Sequence, residues 1–144
     1  MKKLTVILMI ALLAVVFTSC GSGAAADIAG TYSADRALIT IEADGDTDVK
    51  VNVTWGSSAS ENSEWVLSGT YDAKEGTIEY HDCVKTDNTY DQNGELTDQE
   101  EVYVGGHGFM FIDNSGDNPE LKWQDDQEHA ADDMVFVYNP DAAQ

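Results

Sequence analysis

Between Thr47 and Trp55 polar and apolar residues alternate without a break. Val49, Val51, Val53 and Trp55 fall on one side of an extended chain, and Asp48, Lys50, Asn52 and Thr54 on the other. A period of two marks a half-buried strand, because successive side chains of an extended backbone point to opposite faces. The same rhythm recurs along the chain. Leu38 to Ile41 leads through Asp44-Gly45-Asp46 into the Val49 segment, a hairpin signal. Trp65, Leu67, Gly69 and Tyr71 form the next one-sided set, and Asp72 to Gly76 turns the chain into Ile78 and Tyr80. Thr86 to Tyr90 and Glu101 to Val104 flank a turn at Asp91 to Gly94, with Gly105-Gly106 ending that stretch. Phe109 and Phe111 share one face, with Met110 and Ile112 on the other. Leu121 with Trp123, then Met134, Phe136 and Tyr138, complete the series.

These sets predict an all-β fold: an antiparallel up-and-down meander of eight to ten strands with short connections. Closure into a small β-barrel removes exposed edges, and a two-sheet β-sandwich is the competing arrangement, since each buries one face of every strand. Asp125 to Asp133 has helix-tolerant residues but no apolar stripe, so at most one helical turn is expected there. Residues 28–140 read as a single β-domain.

The first twenty residues break the rhythm. Lys2 and Lys3 precede an almost unbroken apolar run from Leu4 to Phe17, followed by Thr18-Ser19-Cys20. That run falls short of the roughly 20 residues of a comfortable membrane span and reads as a cleaved export signal, residues 1–19. Cys20 directly after it resembles the lipobox cysteine of bacterial lipoproteins, although Phe17 stands where that pattern has Leu. The expectation is a lipidated Cys20, a flexible Gly- and Ser-containing tether over residues 20–27, and a domain held at the outer face of the cell membrane by the lipid anchor alone. Cys83 is then the remaining thiol, so the domain has to rely on an apolar core instead of a disulfide.

Charge narrows the partners. The 144 residues contain 27 Asp and Glu against 7 Lys and Arg, a formal charge of −20. Removal of residues 1–19 takes away two lysines, leaving five basic against 27 acidic residues, a charge of −22. Such a surface repels phosphate backbones and anionic headgroups, which excludes nucleic acid and polybasic membrane binding. Cationic partners fit it better.

The acids invite a calcium reading. Asp44, Asp46 and Asp48 place three carboxylates at alternate positions, but Val49 and Trp55 occupy places where an EF-hand loop needs Gly and Glu. A solvated hairpin turn accounts for them. Asp125, Asp126 and Glu128, with His129, Asp132 and Asp133, make a second weak candidate, for calcium before zinc because carboxylates dominate. Glu79, His81 and Cys83 at alternate positions superficially suggest a zinc or thiol–imidazole pair, yet lack a third partner; a core cysteine beside a surface histidine is expected. No nucleophile elbow, His-Glu-Xaa-Xaa-His helix, phosphate loop or dinucleotide fingerprint is present, so no catalytic residue or cofactor is assigned.

Aromatics provide the strongest binding signal. Trp55, Trp65, Tyr71, Tyr80, Phe109 and Trp123 fall on candidate strands and would line a pocket at a barrel mouth if they did not fill the core. The expectation is therefore a non-catalytic extracytoplasmic domain that binds a small ligand, polymer or protein. Two alternatives stand beside it: a structural or envelope-interaction protein, and a calcium-binding β-domain. A pocket lined by aromatics would favour the ligand-binding reading, and a filled interior with an exposed apolar patch the structural or envelope-interaction one.

The strings Thr54-Trp55-Gly56-Ser57-Ser58-Ala59, Ser63-Glu64-Trp65 and Ser68-Gly69-Thr70-Tyr71, then Trp123-Gln124-Asp125-Asp126-Gln127-Glu128 and Met134-Val135-Phe136, resemble a group of small lipoproteins of anaerobic Gram-positive gut bacteria. The likeness spans most of residues 28–138. It implies lipidation and a single domain, and it assigns no activity. Val66 to Asp72 and Tyr103-Val104-Gly105-Gly106 also resemble short segments of avidin-type and lipocalin-type barrels, without the ligand-contact sets of either.

Overall fold

The computed structural model describes residues 23–143; residues 1–19, expected as an export signal, and Cys20 lie outside them. A short helix, α1 (Ala24–Ile28), leads into eight strands. These are β1 (Gly30–Ala34), β2 (Ala37–Ala43), β3 (Asp48–Gly56), β4 (Glu61–Asp72), β5 (Thr77–Tyr90), β6 (Leu96–Asp113), β7 (Glu120–Asp125) and β8 (Phe136–Tyr138). A 3-10 turn, Pro140–Ala143, follows. Every strand pairs antiparallel with the next, in one sheet.

The sheet rolls until β8 lies beside β1, so that neighbours run from β1 through β8 and back to β1. The return is short. β1 meets β8 over Tyr32↔Tyr138 and Ser33↔Val137, and β8 meets β7 over Glu120↔Val137 and Leu121↔Phe136. This corrects the expectation of a small eight- to ten-stranded β-barrel, lipocalin-like in form, because so short a seam does not close the sheet into a barrel. The protein is an eight-stranded antiparallel meander sheet, rolled round its core and latched by a three-residue clasp. The sandwich alternative is corrected too, because all eight strands belong to a single sheet.

The strand count settles at eight for a physical reason. Ile78–Tyr80 and Thr86–Tyr90, expected as separate strands, are both part of β5, and Glu101–Val104 and Phe109–Ile112 are both part of β6. The interruptions between them are bulges. Register shifts fall between Tyr80 and Cys83 and between Cys83 and Lys85. Gly105 takes φ +70°, a left-handed conformation that glycine adopts without steric cost. On the β4 side the register slips between Val66 and Gly69. There Asp82 substitutes for the missing ladder bond, accepting hydrogen bonds from the Ser68 backbone N–H at 2.9 Å and from the Ser68 hydroxyl.

The core follows the alternation. Val49, Val51 and Val53 are buried against Ile39, Ile41, Leu67, Ile78, Met110, Leu121 and Phe136. α1 closes the end of the roll at which the β2–β3 turn lies. Its Ala25 and Ile28 are buried, Ala25 N–H donates to the Asp46 carbonyl, and the Tyr32 hydroxyl donates to the Ile28 carbonyl at 2.9 Å. Residues 24–27, assigned from the sequence to the tether, are thus folded. Since each hairpin reverses direction, the turns 35–36, 57–60 and 91–95 and the long connection 126–135 gather at the opposite end.

Candidate functional site

Trp65, Tyr71, Tyr80 and Trp123 are buried members of the core, so they do not line an open mouth. The Trp65 and Trp123 rings meet edge to face with centroids 5.3 Å apart, and Trp55 lies half-buried beside Trp65 at 6.5 Å. Each buried indole N–H is answered by a tyrosine: Trp123 Nε1 donates to the Tyr80 hydroxyl at 2.9 Å, and Trp65 Nε1 to the Tyr103 hydroxyl at 3.1 Å. Desolvation raises the pKa of both phenols above its ordinary value, and the indole donors oppose the rise. Neutral phenols in this setting are structural partners of the indoles.

The end of the roll opposite α1 is stoppered. Lys85 Nζ stands 5.0 Å from the Trp65 ring centroid and donates to Glu128 Oε1 at 2.8 Å and Oε2 at 2.9 Å. Its side chain is only 12% exposed, so its charge lies among the rings and is answered by a carboxylate from the 126–135 connection. Buried Asp125 starts that connection by accepting the backbone N–H groups of Gln127 and Glu128. Asp126 meets His107 Nδ1 at 2.9 Å. Asp125, Asp126 and Glu128 therefore turn to three different partners.

The hairpin acids are spread in the same way. Asp44 faces Lys50 at 3.7 Å, Asp48 accepts the Thr70 hydroxyl, and the Asp46 carbonyl holds α1. Among the described residues no three His, Cys, Asp or Glu side chains converge as metal ligands. Cys83 and His81 fall as expected, a core cysteine beside a surface histidine: Cys83 is buried inside, whereas His81 is exposed and 3.1 Å from Glu79. Burial, with Asp125 nearby, pushes the Cys83 thiol up to about 12, which removes it as a nucleophile at neutral pH.

The outer surface carries what the interior does not. Phe109 and Phe111 point outward and stack at 6.2 Å, while Met110 and Ile112 fill the core side. Phe111 borders a recess of about 380 Å³ with Lys122, His129, Asp132 and Met134. On the neighbouring strands a second apolar strip runs across the sheet. Val66 on β4 pairs with Val84 on β5, and the flanking pairs Cys83↔Gly106 and Lys85↔Tyr103 set Val84 opposite the Val104–Gly105 bulge of β6. Val66 is 50% exposed, Val104 63% and Val102 42%.

Next to this strip lies a ladder that the sequence analysis missed. Asn62, Asn88 and Gln99 are directly opposite one another on β4, β5 and β6. Asn88 Nδ2 donates to Asn62 Oδ1 at 3.0 Å, and Gln99 Nε2 donates to Asn88 Oδ1 at 2.9 Å. Amides at these spacings gave no signal in one dimension, because their meaning depends on the register of three strands. The ladder stiffens the β4–β6 panel that presents the valines. Among the described residues no helix is long and apolar enough to cross a membrane. Comparisons with protein-family models, curated proteins and solved structures give no match for the chain.

Proposed function

We propose that the protein is a non-catalytic interaction module of the cell envelope, exported and held at the outer membrane face through lipid on Cys20, which meets a protein partner with the outer face of β4–β6. The observation that carries this reading is the division of its apolar residues. Four of the six rings expected to line a ligand pocket, Trp65, Tyr71, Tyr80 and Trp123, are spent on the core, while Val66, Val84, Val102 and Val104 form a strip on a panel stiffened by amide hydrogen bonds. Exposed apolar residues gathered on a rigid, otherwise acidic surface are the usual form of an association site. The export signal and Cys20 support the location.

The test has two parts in the native host. Cys20→Ser releases the protein from the membrane fraction; retention of the variant there would refute the anchor. A photo-reactive phenylalanine at Val66 or Val104 yields a discrete cross-linked partner in living cells, while the same group at Glu42 on β2 yields none. Equal labelling from both faces, or none from either, overturns the interaction reading.

A further inference from the structure

The manner in which such a partner is held is also legible, on the basis of the interaction reading above. β6 starts at Leu96, but β7 pairs with it only from Gly108. Gly106 and His107 are covered by the turn after β7: Gln127 Oε1 accepts the His107 backbone N–H at 2.9 Å, and the Asp126 N–H donates to the His107 carbonyl. From Leu96 to Gly105, one side of β6 is bonded to β5, and the other, among the described residues, carries no strand. An edge of this kind presents backbone donors and acceptors to any extended segment that matches it.

Its side chains indicate which segment matches. Asp98, Glu100 and Glu101 occupy the first half of the edge, and Asp87 of β5 lies directly opposite Glu100. Like charges facing across a ladder destabilise it, and an added cation relieves that cost. Lys85 bonds Glu128 at 2.8 Å and reaches Asp87 only at 4.0 Å, and among the described residues no ion pair involves Asp98, Glu100 or Glu101. The second half of the edge is Val102-Tyr103-Val104, with both valines exposed. A second copy of the chain is a poor occupant: it brings a further charge of −20 and sets its own acids against these acids or against the valines.

We propose that residues 96–105 of β6 are a strand-addition site for an extended cationic segment of a partner protein. Lys or Arg residues lie across from Asp98, Glu100 and Glu101, and apolar residues lie across from Val102 and Val104. The backbone supplies the bonds and the two halves supply the register.

A synthetic ten-residue peptide with one half rich in Lys, to lie across from Asp98, Glu100 and Glu101, and the other half rich in Val, to lie across from Val102 and Val104, is the probe, with the same peptide carrying Glu in place of Lys as control, each added to the full chain. The Lys peptide slows amide exchange within residues 96–105 and leaves residues 120–125 unchanged. Its affinity falls by about tenfold or more in the Glu100→Lys/Glu101→Lys variant and declines with rising salt. Binding without protection of the edge, equal binding of the Glu peptide, or no binding overturns the proposal. If cross-linking from Val104 in cells survives such a failure, only strand addition is lost; if both fail, the interaction reading falls with it.

Discussion

Two indole N–H groups are taken out of water in this protein, and the cost of doing so falls on two hydroxyls. Tyr80→Phe strips Trp123 of its acceptor in a fully buried setting, where an orphaned donor costs about 1–3 kcal/mol. Tyr103→Phe does the same to Trp65 from a half-buried position and costs less, since water reaches the gap. Urea unfolding followed by tryptophan fluorescence measures both; equal and negligible losses would show that the hydroxyls do not support the core. At this scale the sequence was informative about which residues are large and apolar, and silent on how they would be used. Trp65, Tyr80 and Trp123 look alike whether they line a cup or fill a core. Only the tyrosines opposite their N–H groups decide it, and those contacts span 38 and 43 residues of chain.

Elements were legible where alternation was strict and misread where the backbone departs from regular pleating. β3 follows its pattern from Val49 to Val53 because no register shift interrupts it. β5 and β6 were each divided in two because a bulge moves the inward side chain by one position, which a period of two reads as an end. β1 went unread because Tyr32 is its one large apolar residue. The free edge of β6 was hidden for the same reason as the bulges, since an unpaired edge depends on where β7 stops. Gly105 tests the bulge directly. A Cβ there meets nothing within 4 Å, so Gly105→Ala pays only for the left-handed backbone, about 1–2 kcal/mol, and Gly105→Asn pays less. A thermal melt that ranks Gly above Asn above Ala supports the assignment, whereas an unchanged melting temperature for Ala contradicts it.

Over the whole molecule, groups with raised pKa values sit on four strands and titrate against folding together. Burial lifts Tyr32 to about 12, and it also raises Tyr71, Tyr80 and Tyr103; Cys83 is lifted from 9.0 to about 12. Each keeps a proton in the folded state that the unfolded chain would release, so its contribution is complete below its unfolded value and is lost as pH rises through the folded one. Stability is therefore predicted to hold below about pH 9 and to fall steadily toward pH 12. Denaturant midpoints across that interval check it, and a flat profile would show that these groups do not sense the core. The acidic surface adds to the decline at no specific site, because deprotonation makes a chain of charge −20 more negative still.

The clasp between β1 and β8 has a mechanical consequence. An even number of alternating strands brings the outset of β1 and the finish of β8 to one pole, where Asn139 N–H donates to the Thr31 carbonyl. Tension applied between those two points peels the seam one bond at a time. Tension between the same pole and the 91–95 tip instead draws the β5–β6 hairpin lengthwise against β4 and β7, so that many ladder bonds are sheared at once. A pull on the far hairpin against the β1–β8 pole therefore runs along the tougher axis of the molecule.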